Sequence, residues 1–383
     1  MNKISQYLCC GCGTCAAVCP RKCIVMKADS EGFCYPAAEE SQCVNCGKCR
    51  QMCPENQRRE KSAFQPYCMI SNLSDDVERS SSGGIFPAIA RNFIHRGGWV
   101  TGAGFTEDFQ VIMKRIGSLD MLPDLRMSKY VQAAIPDGFF EGCRNELEKG
   151  CPLFFCGTPC QVAAFLSFLN NRKYPNLLTG ELICHGVPSP LVWKDYLRHI
   201  AERCHISADS IDRVCFRDKT FGWHKFALTV QAGNQEVFRE EIGKNLYMRL
   251  FLADVINRPS CGDCRFKAGS SGADITLGDF WKLRKIAPEL DNDSGASLVL
   301  IHTETAHKIL SELQFKTMRE FPPETVRIVN RAFYDSFAPH PRRDEFFRDL
   351  LDGKVPWDKA VRFVKPRASL WKRIFRFFSR KKR

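Results

Sequence analysis

The sequence predicts a small duplicated α+β module followed by an α/β body with a mixed sheet, and three observations carry that prediction. A run of four closely spaced cysteines ending in proline occurs twice before residue 55. From Tyr67 onward, apolar runs of strand length alternate with segments of helical period. A later section holds short alternating strands around a Gly-Asn turn, which marks an antiparallel hairpin.

The 383 residues are 44% apolar and 26% charged, enough for two or three domains with ordinary cores. No apolar run reaches the roughly 18 residues of a membrane span, and Met1–Leu8 lacks the apolar core of a signal peptide. The expected location is therefore cytoplasmic. The 21 cysteines, in such a location, point to metal or redox chemistry rather than disulfides.

In order along the chain, residues 1–56 hold the repeat and 57–66 form a polar linker. Residues 67–150 and 151–345 are two parts of the body, and 346–383 form a helical region with a basic tail. Strands are expected at 67–73, 98–105, 109–116, 153–156, 177–184, 211–216, 226–231, 236–240, 273–277 and 298–302. Helices are expected at 80–95, 139–149, 161–170, 190–203 and 245–256, the first with Ser80–Ser82 as cap candidates.

Cys9, Cys12, Cys15 and Cys19 precede Pro20, and Cys43, Cys46, Cys49 and Cys53 precede Pro54 with the same spacing. Soft thiolates suit iron–sulfur clusters, whereas structural zinc prefers two separated pairs. The spacing resembles the dicluster bacterial ferredoxins, in which the fourth cysteine of each run serves the other cluster. The expected 4Fe-4S ligand sets are Cys9, Cys12, Cys15 and Cys53, and Cys43, Cys46, Cys49 and Cys19. Cys10, Cys23 and Cys34 fall outside the pattern and read as plain buried cysteines.

Four further motifs follow the linker. Ser80-Ser81-Ser82-Gly83-Gly84 lies at a strand-to-helix junction and reads either as a phosphate cradle or as a capped tight turn. Phe155–Gln161 contains Gly-Thr-Pro-Cys-Gln, and Ile183–Ser189 contains Cys-His-Gly-Val-Pro-Ser. Cys261-x2-Cys264 precedes Ala273–Trp281. These place Cys160, Cys184, Cys261 and Cys264 at loop starts after strands, where an α/β sheet assembles its site.

With Ser128–Gln132 (SKYVQ), these motifs resemble, in order, the coenzyme F420 hydrogenase/dehydrogenase beta-subunit family over about residues 67–340. The resemblance implies an iron–sulfur flavoprotein oxidoreductase that uses FAD and a third 4Fe-4S cluster. It implies Cys160, Cys184, Cys261 and Cys264 as the cluster ligands, with Cys156 competing for the first place. It implies a flavin region at Ser81, Ser82, Gly83, Gly84, Ser128, Lys129 and Tyr130. Lys129 would be a cation beside flavin or phosphate, or else a solvated lysine. His185 would donate a proton to a reduced substrate, or satisfy turn backbone. The partner is a redox protein or an organic substrate, and bacterial relatives of this architecture are associated with cell-surface polysaccharide synthesis. The other reading is an electron-relay subunit of a larger hydrogenase or dehydrogenase.

The formal charge of +13 is uneven. Lys359–Arg383 holds 11 Lys and Arg and no acid, so the rest carries 56 − 11 = 45 basic against 43 acidic residues. A general nucleic-acid surface is not expected from that distribution. Ser369–Arg383 places Trp371, Phe375 and Phe378 on one helical face and Arg373, Arg376 and Arg380 on the other. That is the pattern of a helix lying on an anionic membrane, or of one packed on the body.

Overall fold

The computed structural model describes residues 7–57, 59–353 and 357–364. Its backbone falls into three sheets. Strands β1 (Ile24–Ala28) and β2 (Cys34–Ala38) form a hairpin, flanked by helical turns at Thr14–Ala17 and Lys48–Gln51. The main sheet uses β3 (Gln65–Ser71), β4 (Trp99–Phe105), β5 (Val111–Ile116), β6 (Leu153–Gly157) and β7 (Leu177–Leu182). A three-stranded antiparallel sheet follows, made of β8 (Ile211–Asp218), β9 (Ala227–Ala232) and β10 (Gln235–Glu241). The main sheet is completed by β11 (Ile275–Asp279), β12 (Ser297–Ile301) and β13 (Phe315–Glu320), giving the order β13-β3-β12-β11-β7-β6-β4-β5. Strands from both expected parts of the body interleave there, so 67–150 and 151–345 share one sheet.

The centre of that sheet, β11-β7-β6-β4, is parallel, and its outer pairs are antiparallel. A parallel sheet is covered on both faces, which is why β6 reads as an unbroken apolar run. Phe154 and Cys156 face the helix Ile85–His95, with Ile89 and Phe93. Leu153 and Phe155 face the helices Phe139–Glu148 and Pro159–Phe168, and the Phe155 and Phe165 rings stack at 4.2 Å. The helices Pro190–Arg203 and Leu246–Leu252 pack with the small sheet, and Phe346, Phe347, Trp357 and Phe363 close that core.

Several expectations are corrected. The helix expected from Ser80 begins at Ile85, because Gly84 sits at φ +80° and breaks helical continuity. The helix expected to Ile256 ends at Leu252. The linker is docked on the body: Arg59 donates to Ser167 Oγ and Asn171 Oδ1, each at 2.9 Å, and Gln65 already pairs with Ile301. Of the plain buried cysteines, Cys23 is buried, whereas Cys10 and Cys34 are half-buried. The tail Ser369–Arg383 lies outside the described residues. No helix among the described residues is long and apolar enough to cross a membrane.

Candidate functional site

The two cysteine runs fold alike. Gly13 and Gly47, at φ 72° and 73°, each turn the chain into one helical turn that carries the third cysteine, Cys15 or Cys49. Side chains there would be strained in that left-handed backbone. The fourth cysteine then crosses over. Cys19 lines a cavity of about 300 Å³ with Cys43, Cys46 and Cys49, and its sulfur lies 3.4 Å from that of Cys23. Cys53 lies instead with Cys9 and Cys12, and Cys15 feels the charges of Cys12, Cys9 and Cys53. Burial pushes the Cys53 thiol up to about 12, a cost that binding to iron as thiolate would remove. Among the described residues, no three His, Cys, Asp or Glu side chains close on one metal ion. A cubane spreads its four thiolates over a wider frame, and the donor sets are all sulfur.

The body set also gathers. Cys160 follows β6 at the start of the helix Pro159–Phe168, with Thr158 Oγ1 3.2 Å from its sulfur. Cys184 follows β7. Cys261 and Cys264 come from a tight turn at Pro259–Asp263, not from a strand end as expected. Cys261 feels Cys184, Cys264 and Cys160, and Cys264 feels Cys160 and Cys184. Cys156 is buried in β6, where burial raises its thiol to about 12 and the nearby charge is Glu181. The geometry thus groups Cys160, rather than Cys156, with the other three.

Cys10 joins the module to the body. Its thiol lies beside those of Cys12 and Cys160, which hold its proton more tightly. Around it, Arg258 donates to the carbonyls of Cys9 at 2.9 Å and Cys34 at 3.0 Å, and to Gln132 Oε1 at 2.9 Å. Gln132 in turn donates to the Cys10 carbonyl at 3.1 Å. Nothing in the sequence signals this role, since Cys10 breaks no spacing rule and its partner lies 150 residues away.

A cavity of about 580 Å³ opens beside these cysteines, at the carboxyl ends of the parallel strands. Cys10, Cys12, Cys160, Cys184 and His185 line one part of it. Ser81, Ser82, Gly84, Ser128, Lys129 and Tyr130 line another. The two expected flavin segments are tied together: Ser81 Oγ lies 2.8 Å from Ser128 Oγ and accepts from Ser128 N at 2.8 Å. Gly83 does not line the cavity. It donates to Ser297 Oγ at 3.0 Å, and a Cβ there would meet the Met69 carbonyl at 2.5 Å.

Lys129 is neither a solvated lysine nor a free cation. Its Nζ donates to the Asp124 and Arg126 carbonyls at 2.8 and 2.7 Å, and burial pushes its pKa down to about 7. The cation that the sequence does not reveal is Arg217, only 1% exposed. It donates to both Asp279 oxygens at 3.0 Å, to Tyr130 Oη at 3.0 Å and to the Ser81 carbonyl at 2.6 Å. Its guanidinium lies 4.0 Å from the Phe226 ring centre. An arginine ending an amphipathic strand carries no sequence signature of such a position. Asp279 thus serves as its counter-ion, and Asp274 holds Thr179 N and Oγ1 at 2.8 and 2.7 Å. His185 Nε2 lies 2.7 Å from Asp254 Oδ1, which also accepts from Asn257 at 3.0 Å.

The residues fit a flavin dinucleotide. The volume is that of a cofactor site, and the first turn of the Ile85–His95 helix opens at its wall with no acidic residue in it. Ser80 Oγ and the Nε atoms of Arg126 and Arg217, all buried and in cavity-lining residues, have no hydrogen-bond partner. Buried polar atoms are rarely left so without a ligand to meet.

A mixed sheet with a cavity at the carboxyl ends of its parallel strands, lined in part by cysteines, defines the class as an α/β protein with a thiol-rich site. Residues 152–325 match the family described as the C-terminal part of the coenzyme F420 hydrogenase/dehydrogenase beta subunit. The matched segment contains the Cys160, Cys184, Cys261 and Cys264 motifs. Among solved structures, it is similar to a chain of the F420-reducing NiFe hydrogenase complex from Methanosarcina barkeri, studied by xenon derivatization. That likeness has 16% identity and a TM-score of 0.44, and covers 79% of this chain and 91% of the other. No curated protein matches the chain.

Proposed function

We propose that the protein is an iron–sulfur flavoprotein oxidoreductase that moves electrons between two module clusters, a third cluster in the body, FAD and an organic substrate. The observation that carries this reading is the shared cavity: the Ser81–Ser128 segments and the cysteines Cys160 and Cys184 face one volume, and Cys10 links that volume to Cys12. When bound, FAD supplies the exchange between one-electron and two-electron chemistry. The residues of the chain do the rest. Cys9, Cys12, Cys15 and Cys53 hold the inner module cluster, and Cys19, Cys43, Cys46 and Cys49 hold the outer one. Ser81, Ser128 and Tyr130, braced by Arg217, orient the cofactor. His185, with Nε2 held by Asp254, offers Nδ1 for proton exchange with substrate. The other reading, an electron-relay subunit of a larger hydrogenase or dehydrogenase, uses the same cavity for its cofactor, and a stoichiometric catalytic partner in a pull-down would favour it. The basic, aromatic tail Ser369–Arg383 is proposed, on its sequence, to rest on an anionic membrane surface.

Anaerobic protein should carry about twelve iron atoms and about one FAD per chain. The double variant Cys160→Ser, Cys184→Ser should keep about eight iron atoms. If that folded variant retains the iron of the parent, the body cluster is not held by these residues.

A further inference from the structure

Between residues 7 and 57 the module is electrically neutral, with five basic residues (Arg21, Lys22, Lys27, Lys48, Arg50) and five acidic ones (Asp29, Glu31, Glu39, Glu40, Glu55). The charges are partly sorted. Three of the acids are used on the side that faces the body or within a turn. Glu31 pairs with Arg343 across 312 residues, with Oε1 to Nη1 at 2.8 Å. Glu55 is buried, 3.8 Å from Arg265. Asp29 accepts from the backbone of Glu31 at 3.0 Å and Phe33 at 2.9 Å. At the other end, Arg21, Lys22, Lys48 and Arg50 are all exposed, and among the described residues none forms an ion pair. Arg21 and Arg50 line the cavity of Cys19, Cys43, Cys46 and Cys49 itself. Glu39 and Glu40 are the acids left exposed near it, and Glu39 accepts from Ser41.

The outer cysteine set is also the one nearest solvent. Cys46 is exposed, and Val44 beside it is 59% exposed, whereas Cys53 of the inner set is buried. Exposed cations and an apolar spot beside a one-electron site are what a weak and rapid electron-transfer encounter uses. Long-range charge steers the approach, and a small apolar contact brings the sites together.

We propose that this end of the module, Arg21, Lys22, Lys48 and Arg50 around Val44 and Cys46, is the docking face for an acidic, one-electron carrier protein of the ferredoxin type. The inference rests on the cluster reading above and adds where electrons cross the surface and the charge of the protein that brings or takes them. A lipid surface would meet the same cations but has no electron to exchange at Cys46.

The test follows cluster absorbance in a stopped-flow mixer, using the full-length holoprotein and an acidic bacterial dicluster ferredoxin, reduced beforehand, as the probe. The second-order rate constant should fall at least about tenfold as salt rises from about 0.01 to about 0.3 M. In the variant Arg21→Glu, Lys22→Glu, Lys48→Glu, Arg50→Glu it should fall at least about tenfold at low salt and no longer decrease with added salt. A milder variant with glutamine at the same four positions should lie between. Charge reversal at Lys308 and Lys316, exposed on the body, should leave the rate alone. Sodium dithionite, which needs no docking face, should bleach parent and variants equally. Equal rates for parent and reversed variant, with dithionite bleaching both, would overturn the docking face while the clusters stand. A parent protein that dithionite does not bleach would overturn both readings.

Discussion

Glu181 shows what one side chain in the sheet costs. It lies in β7, 1% exposed, and accepts from Thr276 Oγ1 at 2.7 Å. Burial pushes its carboxyl up to about 7. A folded pKa above the unfolded one means that the folded state binds the proton more tightly, so stability is gained as pH falls from 7 toward 4.5. Above 7 the protein carries the penalty of a buried carboxylate. Glu181→Gln should therefore stabilise the fold at pH 8 by on the order of 3 kcal/mol and change it little at pH 4. Denaturant melts at the two pH values measure the difference, and an equal effect at both would show that the charge is not the cause. Arg217 belongs to the same scale. Neither residue was legible in the sequence, because each looks like an ordinary charged residue in an alternating strand and only the fold reveals its burial.

The loop Ser80–Gly84 and the helix after it act as one element. In the sequence, its two glycines read as free to approach a phosphate. The structure separates them, with Gly83 pressed between β3 and β12 and Gly84 at the cavity wall as the helix cap. Gly83→Val should therefore lower the melting temperature of the whole body, since its side chain would meet the Met69 carbonyl and Ser297 N. Ser81→Ala removes only the link to Ser128 and should cost about 1 kcal/mol while weakening flavin retention. Calorimetry and flavin fluorescence after desalting separate the two effects. The strands of the main sheet were legible from their apolar runs, whereas β13 was not. Phe315–Glu320 is a largely exposed edge strand with Lys316, Arg319 and Glu320, so it shows little of the apolar signal a central strand carries. The grouping of Cys19 with Cys43, Cys46 and Cys49 in one cavity follows from spacing that is local to the two runs. The convergence of Cys261 and Cys264 on Cys160 was available only through the family resemblance, since it depends on a turn that no spacing specifies.

For the whole molecule, charge separates three regions: a basic outer end of the module, a nearly neutral body and a strongly basic tail. The tail should supply most of any affinity for anionic vesicles. Flotation with phosphatidylserine-containing vesicles should recover the full chain at low salt and much less at high salt. Deleting Ser369–Arg383 should abolish recovery without changing iron or flavin. Vesicle binding that survives the deletion would place the contact elsewhere.

The ion pair between Glu31 and Arg343 also sets an order of assembly. The cysteine runs leave the ribosome well before the residues that cover the inner set. Gln132, Cys160 and Arg258 must be synthesised before Cys10 has its neighbours, and Arg343 before the hairpin is clamped. Through most of translation these early thiols stand open to oxygen and to stray metal ions. Only once Arg258 and Arg343 are in place is the inner cysteine set covered, so the thiols made first are shielded last.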